Sequence, residues 1–489
     1  MPTHDRSRRR RRESMSRVDT AWLRMERPTN PMMITGVLML AEPLSLQRLR
    51  RVVRERFLAY SRFLQRAVDT ATGASWLDDE RFDLDAHVLP AALPGRVRSV
   101  ASEKRALERL VSRLTSSPLD PARPLWQFDL VERYQGGSAL VARIHHSYAD
   151  GIALVQVLLS LTDTQRNPGK GADLARAWLK DDGASVARRV GAVERYARLG
   201  NRVMETGRDL LRDPSLAGVL AKEGGEIARE LVTALSLPDD PPSLLRGELG
   251  KRKRVAWAEP LDLDDVKAVG RACDCTVNDV LMATATGALR GYMIERGDDP
   301  DGLTVRATVP VNLRPLEHAR KLGNHFGLVF LDLPVGEENP VGRLERVSAS
   351  MDGLKASRQA VVAFGLLAAL GMAPGAVQEV ALELFSRKAS AVATNVPGPQ
   401  QPLYLAGSLV RELMFWVPQT GSIGIGVSII SYNGRVHFGL VADAGLIPDP
   451  DAVVRRFGPE FDKLLFLALM GDWDRPLDAS VAEALRPGD

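Results

Sequence analysis

Apolar residues are spaced along this chain in two alternating ways, and the alternation runs through the sequence twice. After a short amphipathic segment, Asp19 to Glu26, anchored by Trp22, Leu23 and Met25, comes a continuous apolar run from Met33 to Leu40 that predicts a strand. Leu49, Val52, Val53 and Phe57 then recur at helical spacing, so a helix is expected from Leu46. A second helix, Ala101 to Thr115, leads to two strands, Trp126 to Glu132 and Ala139 to Ile144, and a helix from Gly151 to Leu161 follows at once. From about 166 to 248 Arg, Lys, Asp, Glu and Ala dominate, up to a Pro-rich stop at Leu237 to Pro242, which predicts a long helical crossover.

The pattern then restarts. A strand at Val255 to Trp257 precedes helices Asp264 to Ala272 and Val277 to Arg296, and strands Thr304 to Val311 and Leu328 to Leu333. A long helical region, Pro340 to Ser386, is followed by three late strands: Ala391 to Asn395, Ser422 to Ser431 and Val436 to Val441. The last two are joined through Asn433-Gly434, a strong hairpin signal. Strands interleaved with helices in two similar halves predict an α/β (α+β) chain. The expected divisions are a basic disordered tail over 1–14, an N-terminal domain over 15–165, a helical linker over 166–250 and a C-terminal domain over 251–489.

Composition narrows the function. The chain has 489 residues and a net charge of +4, yet its first fourteen residues hold six arginines against Asp5 and Glu13. The tail therefore carries the whole net charge and the folded body is neutral, which excludes a nucleic-acid enzyme with a basic groove. The tail reads as a solvated extension, as an attachment to anionic headgroups, or as a product of start-codon choice, with Met15 the alternative start. The two cysteines, Cys273 and Cys275, suit neither a disulfide framework nor a Cys-x-x-Cys site, so a reducing cytoplasm is expected. No metal is expected from the scattered histidines, and no Gly-rich phosphate loop is present. Ala360 to Val377 is uncharged but broken by glycines and Pro374; it predicts a buried or interfacial helix, not a membrane span.

One heptad carries chemistry: His145-His146-Ser147-Tyr148-Ala149-Asp150-Gly151, between an apolar strand and an amphipathic helix. A strand end projects side chains into a cleft, and imidazole is the usual side chain for taking a proton near neutral pH. Only one of two adjacent strand residues faces the cleft. His146 is assigned as the base and His145 as its support. Asp150 either orients His146 or, the preferred reading, caps the following helix and pairs with a distant arginine. Gly151 permits close approach of backbone or substrate. Ser147 lacks the strained turn of a serine nucleophile and is set aside.

The heptad resembles that of acyltransferases with the chloramphenicol acetyltransferase-like fold, and the chain is most similar to the bacterial wax ester synthase/acyl-CoA:diacylglycerol acyltransferase family. Further matches extend over nearly everything after Met15. They are Pro124-Leu125-Trp126, Val277-Asn278-Asp279-Val280, Pro310-Val311-Asn312-Leu313-Arg314, Gly323-Asn324-His325-Phe326-Gly327, Thr394-Asn395-Val396-Pro397-Gly398-Pro399 and the closing Ser431-Tyr432-Asn433-Gly434 region. The resemblance implies two such domains facing each other across a tunnel, with the base at its centre. It implies acyl-CoA as donor substrate, no cofactor, and a long-chain alcohol or diacylglycerol as acceptor, giving wax ester or triacylglycerol without a covalent acyl-enzyme. In that family the second His of the pair is held to be the base, which falls on His146. The Asn of the Asn-Asp pair makes Asn278 a candidate oxyanion or substrate ligand, against a local helix-start role. Phe364, Leu366 and Leu367 are candidates for the tunnel lining, where core packing serves as well.

Peripheral contact with the inner membrane face or with lipid droplets follows from such substrates. Three rivals share features: a condensation domain acting on carrier-protein thioesters, the His-x-x-x-x-Asp glycerolipid acyltransferases, and a non-catalytic lipid-binding protein of the same fold. The lone chain, the doubled His with Gly151 and the late motifs favour lipid O-acyl transfer.

Overall fold

The computed structural model describes residues 12–70, 73–167, 237–313, 322–357, 359–370 and 375–471. Most of the expected crossover, from 168 to 236, lies outside the described residues. In the first half the elements are β1 (Arg12–Ser14), α1 (Arg17–Arg24), β2 (Met33–Leu40), α2 (Leu46–Val52), β3 (Gln65–Thr70), β4 (Gly73–Asp78), β5 (Val88–Pro90), α3 (Val100–Thr115), β6 (Trp126–Tyr134), β7 (Gly137–His145), α4 (Gly151–Leu159) and β8 (Thr162–Asp163). In the second they are β9 (Lys253–Trp257), β10 (Leu261–Asp262), α5 (Leu263–Ala272), α6 (Val277–Glu295), β11 (Val305–Asn312), β12 (Phe326–Leu333), α7 (Pro340–Ala356), α8 (Gln359–Leu370), α9 (Gly375–Ser386), β13 (Ala391–Pro397), β14 (Tyr404–Leu405), β15 (Ser408–Trp416), β16 (Ile425–Tyr432), β17 (Arg435–Asp443) and α10 (Pro450–Met470).

The strands form two seven-stranded mixed sheets and a small one, β1-β4-β3. The first large sheet runs β5-β6-β7-β2-β15-β14-β8; the second runs β10-β17-β16-β13-β11-β12, with β9 also on β17. The wholly buried β2 and β7 pair antiparallel, Met33 opposite His145. That continuous burial is why both read as unbroken apolar runs. Asn433 and Gly434 have φ of 48° and 74°, the conformation a two-residue hairpin turn needs, and they join β16 to β17 as expected.

Three expectations are corrected. Residues 12–14 of the supposed disordered tail form a strand on β4, where Glu13 also pairs with Arg62. The sheets do not divide at residue 250, because β14 and β15 from the second half complete the first sheet, Trp416 lying opposite Thr35 of β2. β15 escapes pattern reading because Arg411-Glu412 sits at a register shift that breaks its alternation. The late strands do not end the fold either: α10 follows, burying Val453, Phe457, Phe461 and Leu464 at helical spacing despite Pro459 within it.

Each large sheet carries its own apolar core, and Val37, Met39, Val141, Val255, Trp257, Met414 and Trp416 fill the space between them. Among the described residues no helix is long and apolar enough to cross a membrane. α8, the apolar segment singled out in the sequence, is twelve residues long and ends at Leu370.

Candidate active site

β7 ends at His145, and the chain turns before α4 begins at Gly151. The turn is fixed from three sides. His146 N–H donates to Met32 O at 2.7 Å, Gly323 N–H donates to Tyr148 O at 2.9 Å, and Asp150 Oδ1 accepts from Ala153 N–H at 2.9 Å, capping α4. Asp150 Oδ2 also accepts from His325 N–H at 3.3 Å, so its carboxylate ties the turn to the segment before β12. Position 327, the second residue of β12, must be glycine, since a Cβ there would lie 1.7 Å from Ala360 O. That close approach lets α8 sit directly on β12.

The two histidines face opposite ways, as adjacent residues at a strand end do. His145 points inward: its Nδ1 accepts from Ser147 N–H at 3.1 Å, which leaves the hydrogen on Nε2, 2.8 Å from Glu26 Oε2. Ser147 Oγ also lies 2.8 Å from His145 Nδ1. His146 lies instead at the wall of a cleft of about 710 Å³ where the two large sheets meet. Its ring stacks on Trp22 of α1, centroids 4.1 Å apart, and Phe326 lies 5.6 Å from both rings. Burial, helped by the neighbouring His145, pulls its pKa down to about 3, so the ring is neutral near pH 7.

The remaining walls come mostly from the second half. Thr308, Pro310 and Asn312 of β11, Leu328 of β12 and Val392, Thr394, Asn395 and Val396 of β13 line the cleft, and Phe415 of β15 closes it with Val417 and Pro418. The lining is largely apolar with a few polar groups, the usual make-up of a site for an apolar ligand with one reactive centre. Asp150 and Gly151 line it together with His146.

Other expected residues stand elsewhere. Asn278 is not among the lining residues; its Oδ1 accepts from Asn395 Nδ2 at 2.9 Å, and Asn395 does face the cleft. Asn278 therefore holds the residue that could meet a ligand. Phe364, Leu366 and Leu367 do not line the cleft. Leu367 and Phe364 instead pack behind its wall with Trp22 and Phe326.

Sequence reasoning missed Trp22, Asn324 and Asn395. Trp22 looked like one of three apolar anchors of α1, and nothing in its spacing marks the one that reaches a histidine. Asn324 and Asn395 lay in the quoted motifs without a role. Among the described residues no cluster of His, Cys, Asp and Glu could hold a metal ion.

Known proteins match along most of the chain. Residues 15–281 match the wax ester synthase/diacylglycerol acyltransferase catalytic domain, and residues 322–465 match the C-terminal domain of the same enzymes. A probable diacylglycerol O-acyltransferase of Mycobacterium tuberculosis and a putative one of Mycobacterium bovis are each 30% identical over 387 residues, 78% of this chain and 79% of theirs. In fold the chain is similar to the wax ester synthase/diacylglycerol acyltransferase of Marinobacter aquaeolei, with a TM-score of 0.64, 20% identity, and coverage of 93% of this chain and 99% of that one. The first condensation domain of the calcium-dependent antibiotic synthetase shares the fold at a TM-score of 0.55 and 16% identity, over 96% of this chain and 98% of that domain.

Proposed function

The chain belongs to the wax ester synthase/diacylglycerol acyltransferase family and is an acyltransferase, and we propose that it moves a long-chain acyl group from acyl-CoA onto a fatty alcohol or diacylglycerol with His146 as general base. The observation that carries the assignment of the base is a buried, neutral imidazole at the wall of an apolar cleft between the two sheets.

In this reading the acceptor hydroxyl lies against His146 Nε2. As its oxygen attacks the thioester carbonyl carbon, the hydroxyl proton passes to the ring, and the carbonyl oxygen takes up the negative charge. Collapse of the tetrahedral intermediate breaks the carbon–sulfur bond. The departing thiolate receives the proton from the imidazolium, which restores the neutral ring and leaves ester and free CoA. No serine or cysteine is acylated. Asn395 is the candidate donor to the developing oxyanion, since one of its amide hydrogens is committed to Asn278 and the other is free to point into the cleft. A largely apolar, water-poor cleft strengthens such a donor and protects the thioester from hydrolysis.

Both acceptors are lipids, so the enzyme meets them at a lipid surface. Support comes from Phe466, Leu469 and Met470 at the end of α10, which are 61%, 58% and 48% exposed.

The test is thiol release from palmitoyl-CoA with hexadecanol and dioleoylglycerol offered separately, and identification of the lipid formed. Acceptor-dependent release is expected, falling by about 10²–10⁴-fold in His146→Ala while the folded state persists. Silence with both acceptors, or full activity in His146→Ala, would remove this reading.

A further inference from the structure

A base that burial holds near pKa 3 is always ready to accept a proton but accepts it weakly. For proton transfer to proceed, something must favour the imidazolium as it forms. For Nε2 to act, the neutral ring must carry its hydrogen on Nδ1, and that hydrogen needs an acceptor. His146 Nδ1 is buried without a hydrogen-bond partner, and so is Asn324 Oδ1.

The rest of Asn324 is fully engaged. Its Nδ2 donates to His146 O at 2.9 Å and to Asp19 Oδ1 at 2.7 Å, and its backbone N–H donates to the same Asp19 oxygen at 3.0 Å. With both amide hydrogens spoken for, the carbonyl oxygen of Asn324 remains to serve the ring, beside the backbone carbonyl of His146 itself. Asp19 and Trp22 lie three residues apart on α1, so one face of that helix supplies both the carboxylate behind Asn324 and the indole stacked on His146.

We propose that Asp19 and Asn324 are positioning residues for the acyl transfer: Asn324 fixes the carbonyl of His146 and supplies the acceptor for Nδ1–H, and Asp19 orients that amide and stabilises the imidazolium through it. The arrangement is a carboxylate–amide–imidazole chain, in which an amide stands where a Ser-His-Asp triad has direct contact. It joins three separate stretches, α1, the catalytic turn and the segment before β12, and it rests on His146 being the base.

The chain makes activity depend on the charge of Asp19. Burial raises that carboxyl to about 6, against its hydrogen bonds from Ser16 and Asn324 and the charge of Arg62. The groups that face it are Arg62 from the segment before β3, His146 from the turn and His325 beside Gly323, while α8, packed on α1, has no charged residue in its sequence. With His146 near 3, the acidic limb of kcat/KM belongs to Asp19: activity falls as pH drops through about 6.

Three variants test this beside His146→Ala, with palmitoyl-CoA and the better of the two acceptors. Asn324→Ala should lose about 10²-fold in kcat with KM little changed. Asp19→Asn keeps an oxygen where both Asn324 bonds land and removes only the charge. It should lose about tenfold at pH 7.5 and have no acidic limb near 6, while Asp19→Ala should fall as far as Asn324→Ala. An acidic limb that survives in Asp19→Asn overturns the proposal even if Asn324→Ala does not fold, and so does a wild-type kcat in folded Asn324→Ala. If His146→Ala is dead and these variants are not, only this inference fails; if His146→Ala is active, the assignment of the base fails with it.

Discussion

Two buried clusters in this protein are built from nearly the same parts. In one, Lys253 Nζ donates to Asn30 Oδ1 at 2.8 Å and to Asp443 Oδ2 at 3.3 Å. Asn30 Nδ2 in turn donates to the carbonyls of Gly421 and Ile423, and Asp443 Oδ1 accepts from Gly445 N–H. In the other, Asp19, Asn324 and His146 meet at the cleft. Each has an asparagine, an aspartate and a basic side chain, and each ties the N-terminal segment to the second half. They differ in completeness. The first leaves no side-chain atom without a partner, whereas the second leaves His146 Nδ1 and Asn324 Oδ1 open. A closed cluster fixes a fold; on the mechanism proposed above, the open one holds hydrogen-bonding capacity in reserve for a charge that forms only during reaction.

Breaking the closed cluster gives the largest stability effect. Lys253→Met leaves Asp443, which is 0% exposed, as a buried carboxylate without its cation. A loss of about 3–5 kcal/mol is expected in urea unfolding, with kcat per folded molecule unchanged. Burial already pulls the Lys253 pKa below its ordinary range, against the opposing charge of Asp443, so the ammonium depends on that partner.

Asn395 sharpens the contrast from the opposite wall. Asn395→Ala should lower kcat by about 10²–10³-fold, while the lost bond to Asn278 costs about 1 kcal/mol of stability. Asn278→Ala frees Asn395 without removing it, so a smaller fall in kcat is expected, about tenfold. Equal losses in the two variants would mean that Asn278 itself meets the substrate. Steady-state kinetics and thermal melts on the same preparations separate these outcomes.

What the sequence made legible follows the same division. β2 and β7 were readable because they are buried along their whole length, and the heptad was readable because strand, turn and helix meet in seven residues. Asp150 as the cap of α4 is likewise local. β15 was hidden because its charged Arg411-Glu412 sits where the register slips, and its partner β2 lies far away in the chain. Spacing alone cannot say whether a helix-start asparagine such as Asn278 faces a cleft or, as its bond from Asn395 has it, the residue that lines it. Asp19 and Asn324 are 305 positions apart, and no local pattern announces that they share a hydrogen bond.

The mildest substitution, Asp19→Asn, bears on why the open cluster exists at all. In the folded protein burial raises the Asp19 carboxyl from an ordinary 3.8 to about 6. The native state therefore holds its proton more tightly than the unfolded chain does. Stability from this group is fully present below pH 3.8 and is lost as pH rises through 6. At pH 7 the carboxylate is a net cost of up to about 3 kcal/mol, which follows from two pKa units at 1.36 kcal/mol each. Asparagine removes the charge and keeps the acceptor, so Asp19→Asn should be about 1–3 kcal/mol more stable than the parent at pH 7 and nearly equal to it at pH 4. Urea unfolding at the two pH values checks the sign. A variant that gains stability where it loses turnover marks a carboxylate kept for catalysis at the expense of the fold. A variant that is less stable at pH 7 would make Asp19 a structural anchor like Asp443 and erase the difference between the two clusters.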